Sequence, residues 1–317
     1  MALTRFSPLP PNFKIDTYLA IFGCISFSLI YVGALYISKK TRIGTENPGL
    51  TKDHPEVIIQ RIKVTAATCI ISYTSVLTII NLGGGFKNVD DNEDMDLFTK
   101  IKTTSILLGL WLPFNLYYLF NVLFVPLLLT MILFLGPLYV RYLDQELPFQ
   151  ERFSFISEFG YAFTTLKGFR NLIFAPFTEE FVFRSCMVPL LYYAKVNYQS
   201  IIWLTPLVFA FAHIHHAWEY YVGNGRTFIA AKQGILNSAF QFAYTTIFGC
   251  FATFVFMRTG NFFPPFIIHS FGNYQGFPIV NFAAYPKKQR SWLLGFGSLL
   301  FPMTSPGLYG ETTLYWG

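Results

Sequence analysis

The chain alternates long apolar runs with short polar connectors. A helix needs ~20 mainly apolar residues to cross the hydrocarbon layer, and about eight runs qualify: residues 17–37, 64–82, 103–140, 169–194, 200–218, 228–257, 262–282 and 292–303. The third is too long for one straight crossing and carries Pro113 and Pro126, which predicts a kinked span or a tight pair. The first is too long for a signal-peptide core and lacks a small-residue cleavage pattern, so a retained anchor is expected. Residues 142–167 mix charges with Phe153, Phe155, Phe159 and Tyr161, the pattern of a helix lying in the membrane interface or of an amphipathic connector. No repeat or low-complexity linker divides the chain, and residues 1–317 read as one all-α domain, a polytopic membrane helical bundle.

Composition agrees. Apolar residues make up 53% of the 317 and charged residues 13%, well below the roughly 25% charged of soluble domains. Basic residues exceed acidic ones by 23 to 17 but form no stripe or patch, so no nucleic-acid partner is expected. The connector after the first run carries Lys39, Lys40, Arg42, Lys52, Arg61 and Lys63 against Glu46, Asp53 and Glu56, whereas the next carries Asp90, Asp91, Glu93, Asp94 and Asp96. The positive-inside rule places the former in the cytosol, and alternate counting puts Lys287, Lys288 and Arg290 there too. The cysteines Cys24, Cys69, Cys186 and Cys250 show no metal-ligand spacing and read as small hydrophobes.

Against this background the segment Glu179-Glu180-Phe181-Val182-Phe183-Arg184 stands out. Charge at bilayer depth costs ~2.5 kcal/mol or more per residue, so intramembrane ionisable groups are read as functional. On a helix Glu180 and Arg184 pair at i, i+4, while Glu179 points roughly 100° away as a carboxylate without a cation on its own face. Two further segments carry polar side chains on apolar faces: Phe209-Ala210-Phe211-Ala212-His213, followed by His215, His216 and Glu219, and Pro265 to Asn273, where His269 and Asn273 share a face. His215, His216 and Glu219 are expected to be exposed at the interface.

This set suffices for peptide hydrolysis by activated water, with Glu179 as base, His213 holding the water, and His269 and Asn273 donating to the oxyanion. The Glu180–Arg184 pair is expected to be an anchor, with Glu179 the free carboxylate. Three other readings use the same side chains. Glu179, His213 and His269 form a His2Glu set for zinc, although the HExxH pattern is absent. A proton-coupled carrier would use them as a relay, although no matching broken segments mark inverted halves. A catalytically silent scaffold is the third.

The order Glu179-Glu180…Arg184, Phe209…His213, His269…Asn273 resembles the EExxxR, FxxxH and HxxxN pattern of the type 2 CAAX prenyl endoproteases of the endoplasmic reticulum, within the CAAX-protease and bacteriocin-immunity family of glutamate intramembrane proteases. Residues 170–176 and the run His213-Ile214-His215-His216-Ala217 point to the eukaryotic branch. The likeness is carried by residues 169–278 and is thin elsewhere, which makes 169–283 the expected catalytic core. The resemblance implies a multi-pass membrane enzyme of the endoplasmic reticulum, reached from the cytosolic side and needing no cofactor or metal. It implies removal of the aaX tripeptide from farnesylated or geranylgeranylated CaaX proteins such as Ras-type GTPases and mating pheromone precursors. Glu179 and His213 would activate water, His269 and Asn273 form the oxyanion hole, and Glu180 and Arg184 hold the site.

Overall fold

The computed structural model describes residues 9–10, 13–42, 51–87, 93–112 and 115–276, whose regular structure is helical apart from an isolated bridge between Lys87 and Asp94. In chain order the helices are α1 (Thr17–Ile37), α2 (Pro55–Leu82), α3 (Leu97–Leu107), α4 (Leu116–Leu133), α5 (Leu135–Leu143) and α6 (Phe155–Thr164). They continue as α7 (residues 166–193), α8 (Tyr198–Ala212), α9 (His215–Gly223), α10 (Phe228–Thr259) and α11 (Phe263–Gln275). Among the described residues four helical stretches are long and apolar enough to cross a membrane: α1, α2, α8 with α9 as Tyr198–Gly223, and α10. A fifth is α4 with α5, bent by 74°. Phe22, Ile70, Trp203 and Ile247 stand exposed on these helices, as expected where the solvent is lipid.

These spans are fewer than the apolar runs, and the reasons are local. The run 103–140 is divided among α3, α4 and α5. Gly109 ends α3 with φ +75°, and a Cβ there would lie 2.8 Å from the Phe262 backbone nitrogen, so only glycine admits the hydrogen bond from Phe262 N–H to the Gly109 carbonyl (3.0 Å). The run 262–282 supplies α11, 13 residues long within the described part. The run 292–303, with Lys287, Lys288 and Arg290, lies outside the described residues.

The centre of the bundle is α7. From Ala175 to Leu191 every side chain except Phe177 is buried, the signature of a helix apolar on all sides and enclosed by others. Its neighbours are α1, α2, α8, α10 and α11. Two π-helical turns, Arg170–Phe174 and Phe181–Cys186, flank the short α-helical segment Ala175–Glu180. Such i→i+5 turns recur at functional sites because they shift the side-chain register of one face.

Small residues set how closely the neighbours approach, as in other membrane bundles. A Cβ on Gly249 of α10 would lie 2.8 Å from Pro206 Cβ of α8 and 2.9 Å from an Arg184 guanidinium nitrogen. The start of α7 is pinned from the α1–α2 connector: Asp53 accepts from Lys167 Nζ (2.6 Å) and from Arg170 NH2 (2.8 Å), and Arg170 NH1 donates to the Lys52 carbonyl (2.8 Å). Partial burial works against the Asp53 charge, but the hydrogen bonds and charges of Lys167 and Arg170 outweigh it and hold the carboxyl below its ordinary range. Next to the same end, α6 exposes Phe155, Ile156 and Phe163 while its Glu158 pairs with Arg141 of α5 (2.5 Å) and accepts from Tyr274 Oη of α11, as an interfacial helix clamped to the bundle would.

Two consequences can be measured. Gly249→Leu should force α8 and α10 apart and displace Arg184, costing about 1–3 kcal/mol as overpacking does; an unchanged thermal midpoint in detergent would contradict that packing. Because the folded-state pKa of Asp53 is depressed, its stabilisation is present above the ordinary carboxylate range and is lost as pH falls through the folded value. The thermal-midpoint advantage of the native chain over Asp53→Asn should therefore be flat above pH ~5 and shrink below ~4.

Candidate active site

The ionisable side chains of α7 and α11 meet around one imidazole. His269 Nδ1 lies 2.7 Å from Glu180 Oε1 and its Nε2 lies 3.6 Å from Glu179 Oε2. The same Glu180 oxygen accepts from Arg184 NH1 at 3.0 Å, both side chains being essentially unexposed (0% and 1%). The guanidinium stacks over the Phe209 ring, 4.6 Å from its centroid, a cation–π contact strengthened by its burial. The i, i+4 pairing of Glu180 with Arg184 is as the helix spacing predicts. The isolation expected of Glu179 is not found: both carboxylates reach a nitrogen of the same histidine, contributed by a helix 89 residues further along the chain.

His213 caps α8 and its Nδ1 lies 2.8 Å from the Phe209 carbonyl. A carbonyl only accepts, so Nδ1 carries the proton and, in the neutral ring, Nε2 is a bare lone pair. Glu179 and His213 face each other across a cavity of about 20 Å³ that is also walled by Tyr31, Phe183, His215 and His216. A single water needs ~10–15 Å³ of such space, so the cavity admits one beside these two acceptors.

Asn273 stands one turn beyond His269 on α11, and its Nδ2 donates to the Asn171 carbonyl at 2.9 Å. That donation uses one of its two amide hydrogens and leaves the other for a ligand. Asn171 accepts through its side chain from Arg170 Nε (2.8 Å), so the amide of Asn273 is tied to the Asp53 network. α11 itself is set by Asn261, whose Oδ1 accepts from Phe263 N–H (2.9 Å) and whose Nδ2 donates to the Trp111 carbonyl (2.5 Å).

Several neighbours carried no sequence signal. Tyr31 of α1 shares a 2.9 Å hydrogen bond with Thr178, which donates to the Ala175 carbonyl, so Tyr31 is the donor. With Val32 and Leu35 it makes the N-terminal helix part of the cavity wall. Its apolar run showed only a span, because one tyrosine in a membrane helix is unremarkable before the fold is known. Arg61, counted above among connector charges, lies inside α2 with 1% exposure and pairs with Glu219 at 2.9 Å. His215, His216 and Glu219 are likewise not exposed at the interface: the side chains of His216 and Glu219 are 16% and 9% accessible. The reason is that α9 folds its first turn back over the cavity.

The donor geometry also separates the chemical readings. Among the described residues, the group whose ligand atoms lie within 4.8 Å of one another is His215, His216 and Glu219, and not Glu179, His213 and His269. A zinc ion held by the latter three is not what the arrangement favours. A base, a water-sized space and donors grouped on a second helix fit hydrolysis.

Comparison with known proteins agrees. The family described as Type II CAAX prenyl endopeptidase Rce1-like matches residues 161–275. The curated protein CAAX prenyl protease 2 of Homo sapiens is 34% identical over 94% of this chain and 84% of its own length. Its namesake in Arabidopsis thaliana is 30% identical over 95% and 94%, and the probable CAAX prenyl protease 2 of Schizosaccharomyces pombe is 32% identical over 88% and 89%. No solved structure matches the chain. Likeness thus extends through the N-terminal half, beyond the residues 169–278 that the motifs alone carried, as the place of α1 in the cavity wall requires. On motif order, site geometry and identity across nearly the whole chain, this multi-pass membrane protein belongs to the type II CAAX prenyl endopeptidase family.

Proposed function

We propose that this CAAX prenyl endopeptidase removes the C-terminal aaX tripeptide of prenylated CaaX proteins with a water activated between Glu179 and His213. The observation that carries this is the shared cavity, in which a carboxylate and the bare Nε2 of a tautomer-fixed imidazole face a space for one water. A water there donates one hydrogen to Glu179 and one to His213, turning an oxygen lone pair outward. Its oxygen bonds to the scissile carbonyl carbon as Glu179 takes a proton, and the carbonyl oxygen becomes the oxyanion. The remaining N–H of Asn273 and the Nε2–H of a doubly protonated His269 are its donors. Collapse re-forms the C=O bond and breaks the C–N bond, Glu179 returns its proton to the leaving amine, and the products are a free tripeptide and a prenylcysteine carboxyl group that gives up its remaining proton to bulk water.

Glu180 and Arg184 position His269 and take no proton in this scheme. Residues 169–283 form the catalytic core of one membrane domain, 1–317. The prenyl chain contributes ~0.8 kcal/mol per buried CH₂ and holds the peptide at the depth of α7, which compensates for the small recognition surface of three residues. The reading extends to farnesylated and geranylgeranylated Ras-type GTPases and mating pheromone precursors as substrates, and to the endoplasmic reticulum membrane with a cytosol-facing site.

Glu179→Gln keeps the shape and removes the base, so kcat on a farnesylated CaaX peptide should fall ~10²–10⁴-fold with little change in KM. Undiminished cleavage removes Glu179 from the mechanism. Asn273→Ala should lower kcat ~10²–10³-fold as loss of an oxyanion donor does; a change confined to KM would make it a binding residue instead. Sealed vesicles of endoplasmic reticulum should cleave an impermeant prenylated peptide added outside, and a requirement for permeabilisation would reverse the assigned sidedness.

A further inference from the structure

The first turn of α9 carries a second constellation for which the cleavage scheme has no use. His215 and Glu219 stand at i, i+4, and His216 and Glu219 at i, i+3, so all three side chains project to one side of the helix. One ligand atom from each lies within 4.8 Å of the others. His216 Nδ1 and Glu219 Oε2 are 3.3 Å apart, about the separation of two ligands each ~2.0–2.1 Å from a tetrahedral ion.

The outer contacts are those of a ligand set. His215 Nδ1 lies 2.6 Å from the Ala212 carbonyl and must donate to it, which turns a lone pair out at Nε2. That Nε2 is buried with no hydrogen-bond partner among the described residues, a desolvated acceptor that a bound ligand would satisfy. Glu219 is anchored through its other oxygen: Oε1 accepts from Arg61 NH2 (2.9 Å) and from Tyr36 Oη (3.4 Å). Arg61 also donates to the Thr41 carbonyl (3.2 Å), so the anchor is fixed to the α1–α2 connector. A cluster that only locked α9 to α1 and α2 would need Glu219 and its two donors, but neither histidine.

We propose that His215 Nε2, His216 Nδ1 and Glu219 Oε2 bind one divalent ion of the zinc class, beside the cleavage residues and independent of how those act. Two imidazoles and one carboxylate suit a borderline ion such as Zn²⁺ and are poor ligands for Mg²⁺ or Ca²⁺, which take oxygen. His215 and His216 also line the cavity with Glu179 and His213, so the ion would sit beside it. An ion held there ties the cavity wall formed by α9 to Arg61 of α2 and Tyr36 of α1.

The test uses the full chain purified in detergent, stripped with a chelator, dialysed, and titrated with Co²⁺ and then Zn²⁺. Expected are one equivalent bound, visible absorption of tetrahedral Co²⁺ that Zn²⁺ displaces, and a rise in thermal midpoint that Mg²⁺ does not reproduce. His215→Ala and His216→Ala should each weaken binding at least tenfold, each read against its own metal-free midpoint so that a loss of stability is not mistaken for a loss of binding. Tyr36→Phe, which keeps the ring against His215 and removes only the hydroxyl that donates to Glu219, should weaken it ~10-fold or more. His269→Ala and Glu179→Gln should leave the stoichiometry and the Co²⁺ spectrum unchanged. Absence of saturable binding to the native chain, or binding that survives replacement of both His215 and His216, overturns the proposal. So does binding abolished by His269→Ala, which would put the ion among the cleavage residues.

Discussion

A carboxylate and a guanidinium enclosed in an apolar bundle are expensive, and the arrangement of this protein follows from making that burial tolerable. Glu180 and Arg184 are both withdrawn from solvent, and desolvating two charges costs several kcal/mol per ion even after relaxation. The Coulomb attraction across 3.0 Å recovers part of it; the rest comes from neighbours that only this fold supplies. Phe209 of α8 offers its ring face to the guanidinium, His269 of α11 offers a donor to the carboxylate, and Gly249 of α10 leaves the room Arg184 occupies. Three helices that never touch in sequence are thus fixed against α7 by one ion pair. Removing either partner would strand the other charge, which is why a pair weak as a stabiliser is strong as a specifier of arrangement.

The short α-helical segment Ala175–Glu180, with a π turn on either side, ends on the two glutamates. Adjacent helical residues point ~100° apart, so the two glutamates approach one imidazole from different sides, Glu180 at Nδ1 and Glu179 at Nε2. Glu179 and Glu180 converge on His269, at 3.6 and 2.7 Å, directly before the turn Phe181–Cys186. α11 meets them because Asn261 sets its first turn and the Asn171 carbonyl holds its last, through Asn273. The site is held at both ends by backbone contacts, and only the space between is left to the reaction.

How much of this the residues disclosed in advance depends on whether the signal was local. The Glu180–Arg184 pairing and the shared face of His269 and Asn273 follow from helical spacing and were legible. So was the all-helical membrane class, since 13% charge admits little else. The number of spans was not, because an apolar run has the same composition whether it crosses straight, breaks at Gly109 or is enclosed as α7 is. Tyr31, Arg61 and the burial of His215, His216 and Glu219 were hidden for a different reason: each depends on a partner more than 140 residues away, as Tyr31 on Thr178 and Arg61 on Glu219. One residue looked solitary for the same cause, since nothing near Glu179 in the chain announces His269.

The contact of Glu179 with His269 changes what the proposed mechanism asks of the electrostatics. Had Glu179 stood alone, taking a proton from water would have removed one uncompensated charge and created another, the oxyanion, in a medium that screens poorly. In the proposed scheme His269 donates from one nitrogen to each carboxylate, and Glu179, Glu180, Arg184 and this His269 then sum to zero before attack. As Glu179 accepts the proton its negative charge passes to the carbonyl oxygen, and the imidazolium that faced the carboxylate now faces the oxyanion. No net charge is created, and the existing one moves only a few ångströms within dipoles already oriented for it, which is the condition under which a buried site accelerates a reaction most. The same balance explains the buried Arg184: without its cation, Glu180 would compete with the oxyanion for His269 and the site would carry an unneutralised charge at every step.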